Sequence, residues 1–142
     1  MTHPNEDYYG WTQETLEKLR QGRLSEVNID DLIEELEDMA KSERRELRNR
    51  LAVLLAHLLK WQYQPDRKGK SWRLTIEEQR YQIGMLLKSN PTLEPMLNKT
   101  LNEAYPSAKR LVAKETDLEV RDFPADCQWP VEQALDAEFY PD

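Results

Sequence analysis

The run from Ile29 to Gln64, IDDLIEELEDMAKSERRELRNRLAVLLAHLLKWQYQ, holds 36 residues without a glycine or a proline. At 1.5 Å per residue it forms either one helix of roughly 50 Å or two helices broken near Lys41 and Ser42. Its apolar positions recur at spacings of three and four: Ile29, Leu32, Ile33, Leu36, Met39 and Ala40, then, after a gap, Leu47, Leu51, Leu54, Leu55, Leu58 and Leu59. The gap, AKSERRE, is polar beyond its alanine, so the helix there is expected to cross solvent or a partner surface. Only four glycines occur in the 142 residues, which argues against a turn-rich β fold.

The flanking segments read the same way. DYYGWTQETLEKLRQG reads as a helix capped by Asp7 and stopped by Gly22, with Tyr8, Trp11, Leu16 and Leu19 on one stripe that must pack against something. Pro65 stops the long run, PDRKGK is a loop, and Ser71 is expected to cap WRLTIEEQRYQIGMLLK. The short connection predicts antiparallel packing of that helix against the preceding one. SNPTLEP is a break, and in LNKTLNEAYPSAKRLVAKET Pro106 either kinks one helix or begins a second. The last stretch alternates prolines and aromatics. It is expected to lie across a bundle and fill its groove with Phe123, Trp129 and Phe139, with a short helix at Pro130 to Leu135.

These elements predict an all-α fold. It is expected to be one domain over residues 1–142: a helical bundle built on a long helical hairpin, with a flexible N-terminus (1–6) and an irregular tail (117–142) packed across it. The single cysteine, Cys127, excludes an internal disulfide and a multi-cysteine zinc site. MTHPNEDYYG lacks the basic and apolar regions of a secretory signal, and the nine-residue apolar run Leu51 to Leu59 is far below the roughly 20 residues that span a bilayer. A cytoplasmic protein with no membrane partner is the expectation.

Charge is segregated along the chain. Residues 1–41 carry 11 acids and 4 bases, residues 42–90 carry 5 acids and 11 bases, and residues 91–142 carry 11 acids and 5 bases. A basic middle between acidic flanks, within a net charge of −7, favours a protein partner or self-association over indiscriminate nucleic-acid binding.

The parts needed for catalysis are sparse. His57 has no carboxylate or second histidine one helical turn away, so it reads as a partly buried polar group hydrogen-bonded within the bundle rather than a metal ligand. A metal-dependent enzyme would need to recruit carboxylates to His57 from other helices. In the acidic cluster Asp30, Asp31, Glu34, Glu35, Glu37 and Asp38, like charges stand four apart, which calls for a compensating basic surface on this chain or a second copy. Asp30 and Asp31 also suit the first turn of a helix. Lys60, Arg67, Lys68, Lys70 and Arg73 form a basic segment interleaved with Trp61, Tyr63 and Trp72. That mixture suits phosphate contacts and base stacking, or else the aromatics close the end of the hairpin as core. The glycines are too dispersed for a phosphate loop, and nothing marks a nucleophile, so no catalytic, metal or cofactor-binding residue and no cofactor is assigned.

The stretches WTQETLEKLRQGR, LIEELEDMAKSERRELRNRL, LLAHLLKWQYQP, SWRLTIEEQR, EAYPSAKRL and EQALD together resemble a bacterial, largely cyanobacterial family known as domain of unknown function number twenty-nine. The resemblance covers roughly Asp7 to Pro141 and implies a compact all-helical fold without an assigned activity, ligand or catalytic residue. Gly10 and the QWP after Cys127 depart from the family pattern. The residues and the resemblance together point to a non-catalytic cytoplasmic protein–protein interaction module with separate acidic and basic faces. Nucleic-acid binding through residues 60–73 is the alternative.

Overall fold

The structure is a computed structural model and describes residues 2–142. Met1, part of the expected flexible N-terminus, lies outside them. Five α-helices follow in order: α1 (Tyr8–Arg20), α2 (Ile29–Tyr63), α3 (Lys70–Ser89), α4 (Leu97–Glu115) and α5 (Val131–Leu135). Short 3-10 turns connect them, and among the described residues no strand occurs. The chain divides into two compact units, one ending at Glu43 and one running from Arg44 to Asp142.

The first unit contains α1 and the start of α2. Asp7 caps α1 by accepting the Gly10 N–H at 2.9 Å. A methyl group on Gly10 would run into the Asp7 carboxylate, so the glycine that departs from the family pattern makes room for the cap. At the other end Gly22 adopts φ +70°, and the Arg23 N–H reaches the Lys18 carbonyl at 2.8 Å. That left-handed turn closes the helix and is open to glycine at little cost. Asn28, which sequence reasoning passed over, caps α2 by accepting the Asp31 N–H at 3.1 Å. Within this unit Trp11 and Val27 are buried, whereas Tyr8, Leu16 and Leu19 of the expected α1 stripe are exposed. The stripe is therefore covered only in part, at Trp11.

In the second unit, α2 from Arg44 packs with α3 and α4 as a three-helix bundle. The Arg50 guanidinium meets Gln79 at 3.3 Å, and the Lys60 ammonium lies 5.9 Å from the Trp72 ring, so α3 runs antiparallel to α2. An ion pair between Lys60 and Glu115, with Asn49 and Ala52 across a groove from Ser107 and Leu111, sets α4 parallel to α2. Leu47, Leu51, Leu54, Leu55 and Leu58 are fully buried against Ile76 and Ile83 of α3 and Ala104, Tyr105, Ala108 and Val112 of α4. Burying a leucine side chain stabilises by about 2 kcal/mol, so this α2 row dominates the fold energetics.

The long run is one helix, not two: AKSERRE contains good helix formers and nothing that stops the hydrogen-bond ladder. Pro106 stands inside α4 rather than beginning a new helix. One expectation fails at α3, which starts at Lys70 with Gly69 as its N-cap. Glycine is tolerated at that position, and Ser71 lies within the helix, its carbonyl accepting from the Thr75 hydroxyl at 3.1 Å.

The C-terminal tail lies across the bundle. Phe123 and Trp129 are buried, and Phe139 is half-buried beside Trp129 with ring centroids 6.0 Å apart. The buried Arg80 fixes this segment, donating from Nε to the Ala134 carbonyl at 2.9 Å and from a terminal nitrogen to the Phe139 carbonyl at 2.7 Å. Burial lowers the Arg80 pKa from its ordinary value, and the Tyr140 ring, 5.3 Å away, faces the guanidinium.

Candidate functional site

The basic, aromatic segment separates into two kinds of residue. Arg67, Lys68, Lys70 and Arg73 are exposed around the turn between α2 and α3. Lys60 stands apart from them: it is buried, and its ammonium is bound by Glu115, whose carboxyl is held below the usual carboxylate range by that pairing. It is therefore committed inside the protein.

The aromatics are engaged as well. Trp61 packs against Tyr140 of the tail at 4.8 Å between centroids, and the Lys68 ammonium lies 5.4 Å from the Trp61 ring. Tyr63 meets Phe123 edge to face at 5.0 Å, and Trp72 is half-buried near Lys60. The end of the hairpin is thus joined by tail residues Phe123 and Tyr140, which sequence spacing alone did not bring there.

His57 is half-buried, and its Nδ1 lies 2.9 Å from the Val53 carbonyl one turn back. Burial lowers its pKa from 6.5, Lys60 adds to that effect, and Glu115 and the Val53 carbonyl oppose it. Cys127 is half-buried near the Trp129 carbonyl, and burial pushes its thiol pKa up, away from the thiolate form that attacks electrophiles. Among the described residues, no three histidine, cysteine or carboxylate side chains are grouped so as to hold a metal ion. No described helix is long and apolar enough to cross a membrane.

The acidic cluster on α2 divides between the helix surface and a concavity. Asp31, Glu34, Glu35 and Asp38 face His3 to Glu6 across a space of about 210 Å³. One Asp31 oxygen is buried there without a hydrogen-bond partner, and the His3 ring nitrogen is 3.8 Å from it. The Glu35 carboxylate beside Tyr8 raises the tyrosine's pKa.

The feature that sequence reasoning missed is apolar. Ile29, Ile33 and Leu36 are each about half exposed, and Met39 is 59% exposed. With Ala40 they continue, at helical spacing, the row of leucines that forms the core further along α2. From Leu36 to Glu46 every residue of α2 is exposed. The periodic pattern was visible in the sequence, but periodicity marks a face that seeks cover and does not reveal whether the chain supplies it.

A family described as domain of unknown function DUF29 matches residues 5–140. No curated protein and no solved structure gives a significant match.

Proposed function

The chain belongs to the DUF29 family, and we propose that it acts as a non-catalytic cytoplasmic module that binds another protein through its first unit, at the start of α2. The observation that carries this reading is the row Ile29, Ile33, Leu36 and Met39, left open to solvent on a segment crowded with carboxylates. Contiguous apolar surface rimmed by charge is the usual physical signature of a protein contact, because hydration of such a face disfavours the free state. Acidic neighbours add selection: they steer basic partners in and repel acidic ones.

The nucleic-acid alternative rests on Arg67, Lys68, Lys70 and Arg73. These bases are exposed, but the neighbouring rings Trp61 and Tyr63 are packed against tail residues, which leaves less aromatic face for base stacking. The reading of the α2 apolar row as a protein contact draws the greater support.

The test is a photo-cross-linking amino acid placed at Leu36 in the native cell, with adducts identified by mass spectrometry. A discrete adduct at Leu36 that is missing when the same group replaces the exposed Gln133 of α5 is the expected result. The same diffuse labelling from both positions would overturn the reading.

A further inference from the structure

A groove in the second unit has an apolar floor and a basic wall. It runs between the parallel helices α2 and α4, takes in about 390 Å³, and is open to solvent rather than enclosed. Ala52 and Val53 of α2 and Leu111 of α4 make the floor, and Ser107, Arg110 and Lys114 stand along the α4 side. All of these residues lie within the one compact unit from Arg44 to Asp142.

Both bases are exposed, and neither is neutralised. Among the described residues Arg110 and Lys114 form no ion pair, and Arg110 donates to the Ser107 hydroxyl at 3.0 Å. They stand four apart on one helix face, where like charges repel. The last turn of α4 suits Lys114, because a helix ends in its negative pole, but Arg110 sits a turn earlier and gains less from it. The carboxylates of the neighbourhood are committed or distant. Glu46 pairs with Arg50 at 3.1 Å, and Glu115 is bound by Lys60. Glu103 stands seven residues before Arg110, about 10 Å along the helix, and Asp117 lies beyond the end of α4. The groove is thus apolar inside and positive along one wall, in a chain of net charge −7.

We propose that this groove takes one helix of an acidic partner protein. An apolar side chain of that helix sits over Ala52 and Leu111, and two of its carboxylates, four residues apart, meet Arg110 and Lys114. Charge and shape both select this occupant. Arg110 and Lys114 are about 6 Å apart along the helix axis, the rise at which a second helix displays carboxylates on one face. Two parallel helices form a trough that a third fills with side chains at i and i+3 or i+4. A fatty carboxylate fits less well, because small apolar ligands are held in cavities that enclose most of their surface, and this groove is open. A groove of this size buries too little for a long-lived complex by itself, so the contact is weak and exchanges quickly. It is separate from the apolar row at the start of α2 and stands without that reading.

NMR titration of the isotope-labelled full chain with a designed helical peptide tests this. The probe carries leucines and glutamates at four-residue spacing on adjoining faces, a control carries lysine in place of each glutamate, and sodium dodecanoate is the third arm. The expected result is that the glutamate probe alone shifts the amides of Ala52, Val53, Ser107 and Leu111, less so as salt is raised. Arg110→Gln with Lys114→Gln weakens this binding by roughly tenfold or more. Circular dichroism and thermal melting of that variant stay close to those of the parent, because both side chains are exposed. Arg110→Glu with Lys114→Glu reverses the preference, so that the lysine control shifts these amides and the glutamate probe does not. No shift at about 1 mM probe overturns the inference, as do equal shifts by both peptides, shifts confined to the amides from Arg67 to Arg73, or a preference that fails to reverse. Dodecanoate shifting the groove amides at a lower concentration than the glutamate probe overturns the helix as occupant in favour of a lipid.

Discussion

Arg80 and His57 show how polar groups are accommodated inside the second unit. Arg80 offers a rigid fork of donors to carbonyls of the tail, and a lysine at that position would satisfy only one of them. Arg80→Lys is therefore expected to cost about 2–3 kcal/mol in chemical denaturation and to raise hydrogen exchange around Ala134 to Phe139 while the α2 core stays protected. Unchanged exchange in the tail would contradict the clamp. His57 gives a pH dependence of known sign. Its folded pKa lies below the ordinary 6.5, so its contribution is fully present above that value and is lost as pH falls through the lower folded pKa, when the unfolded chain binds the proton that the folded chain refuses. Melting temperatures taken from about pH 7.5 to about pH 5 are expected to fall more steeply in the parent than in His57→Gln. Parallel slopes would show that His57 titrates normally. The lack of a carboxylate within one turn of His57 was legible in the sequence. Its proximity to Glu115 was not, because Glu115 arrives from α4, 55 residues beyond the Lys60 that binds it.

Among the helices, those whose ends carry their own chemistry were the most legible. Asp7 and Gly22 bracket α1 as expected, and Pro130 precedes α5. The start of α3 was missed because an ordinary capping residue, Ser71, sits two places after the glycine that begins the helix. Whether α2 was one helix or two could not be read from AKSERRE, since a polar gap shows what the helix faces rather than where it stops. In α4 the interior Pro106 supplies no N–H to the Asn102 carbonyl and crowds the preceding turn. The side chain is exposed, so Pro106→Ala is expected to raise stability by about 1 kcal/mol or more, measured as a shift in denaturation midpoint. A loss of stability instead would mean that a proline-induced bend is needed to seat Tyr105 and Ala108 in the core.

For the molecule as a whole, charge segregation and the all-helical architecture could be read directly from the chain, as could its family resemblance. The tail's role was only half legible. Its aromatics announced burial, but the pairings of Tyr140 with Trp61 and of Phe123 with Tyr63 depend on where the chain returns in space. The candidate interaction face was the least legible, because Ile29, Ile33 and Leu36 carry the same pattern as Leu47, Leu51 and Leu54, yet only the latter are covered. Exposed apolar groups contribute little to their own fold and much to association. The most direct test is the size of the native species in fresh lysate, followed by gel filtration and immunoblot, for the parent and for Ile33→Ser with Leu36→Ser. The parent should elute above the position of a 16.9 kDa monomer and the variant at it, with both equally stable to heat once purified. Parent and variant eluting together, at either position, would show that this face binds no partner.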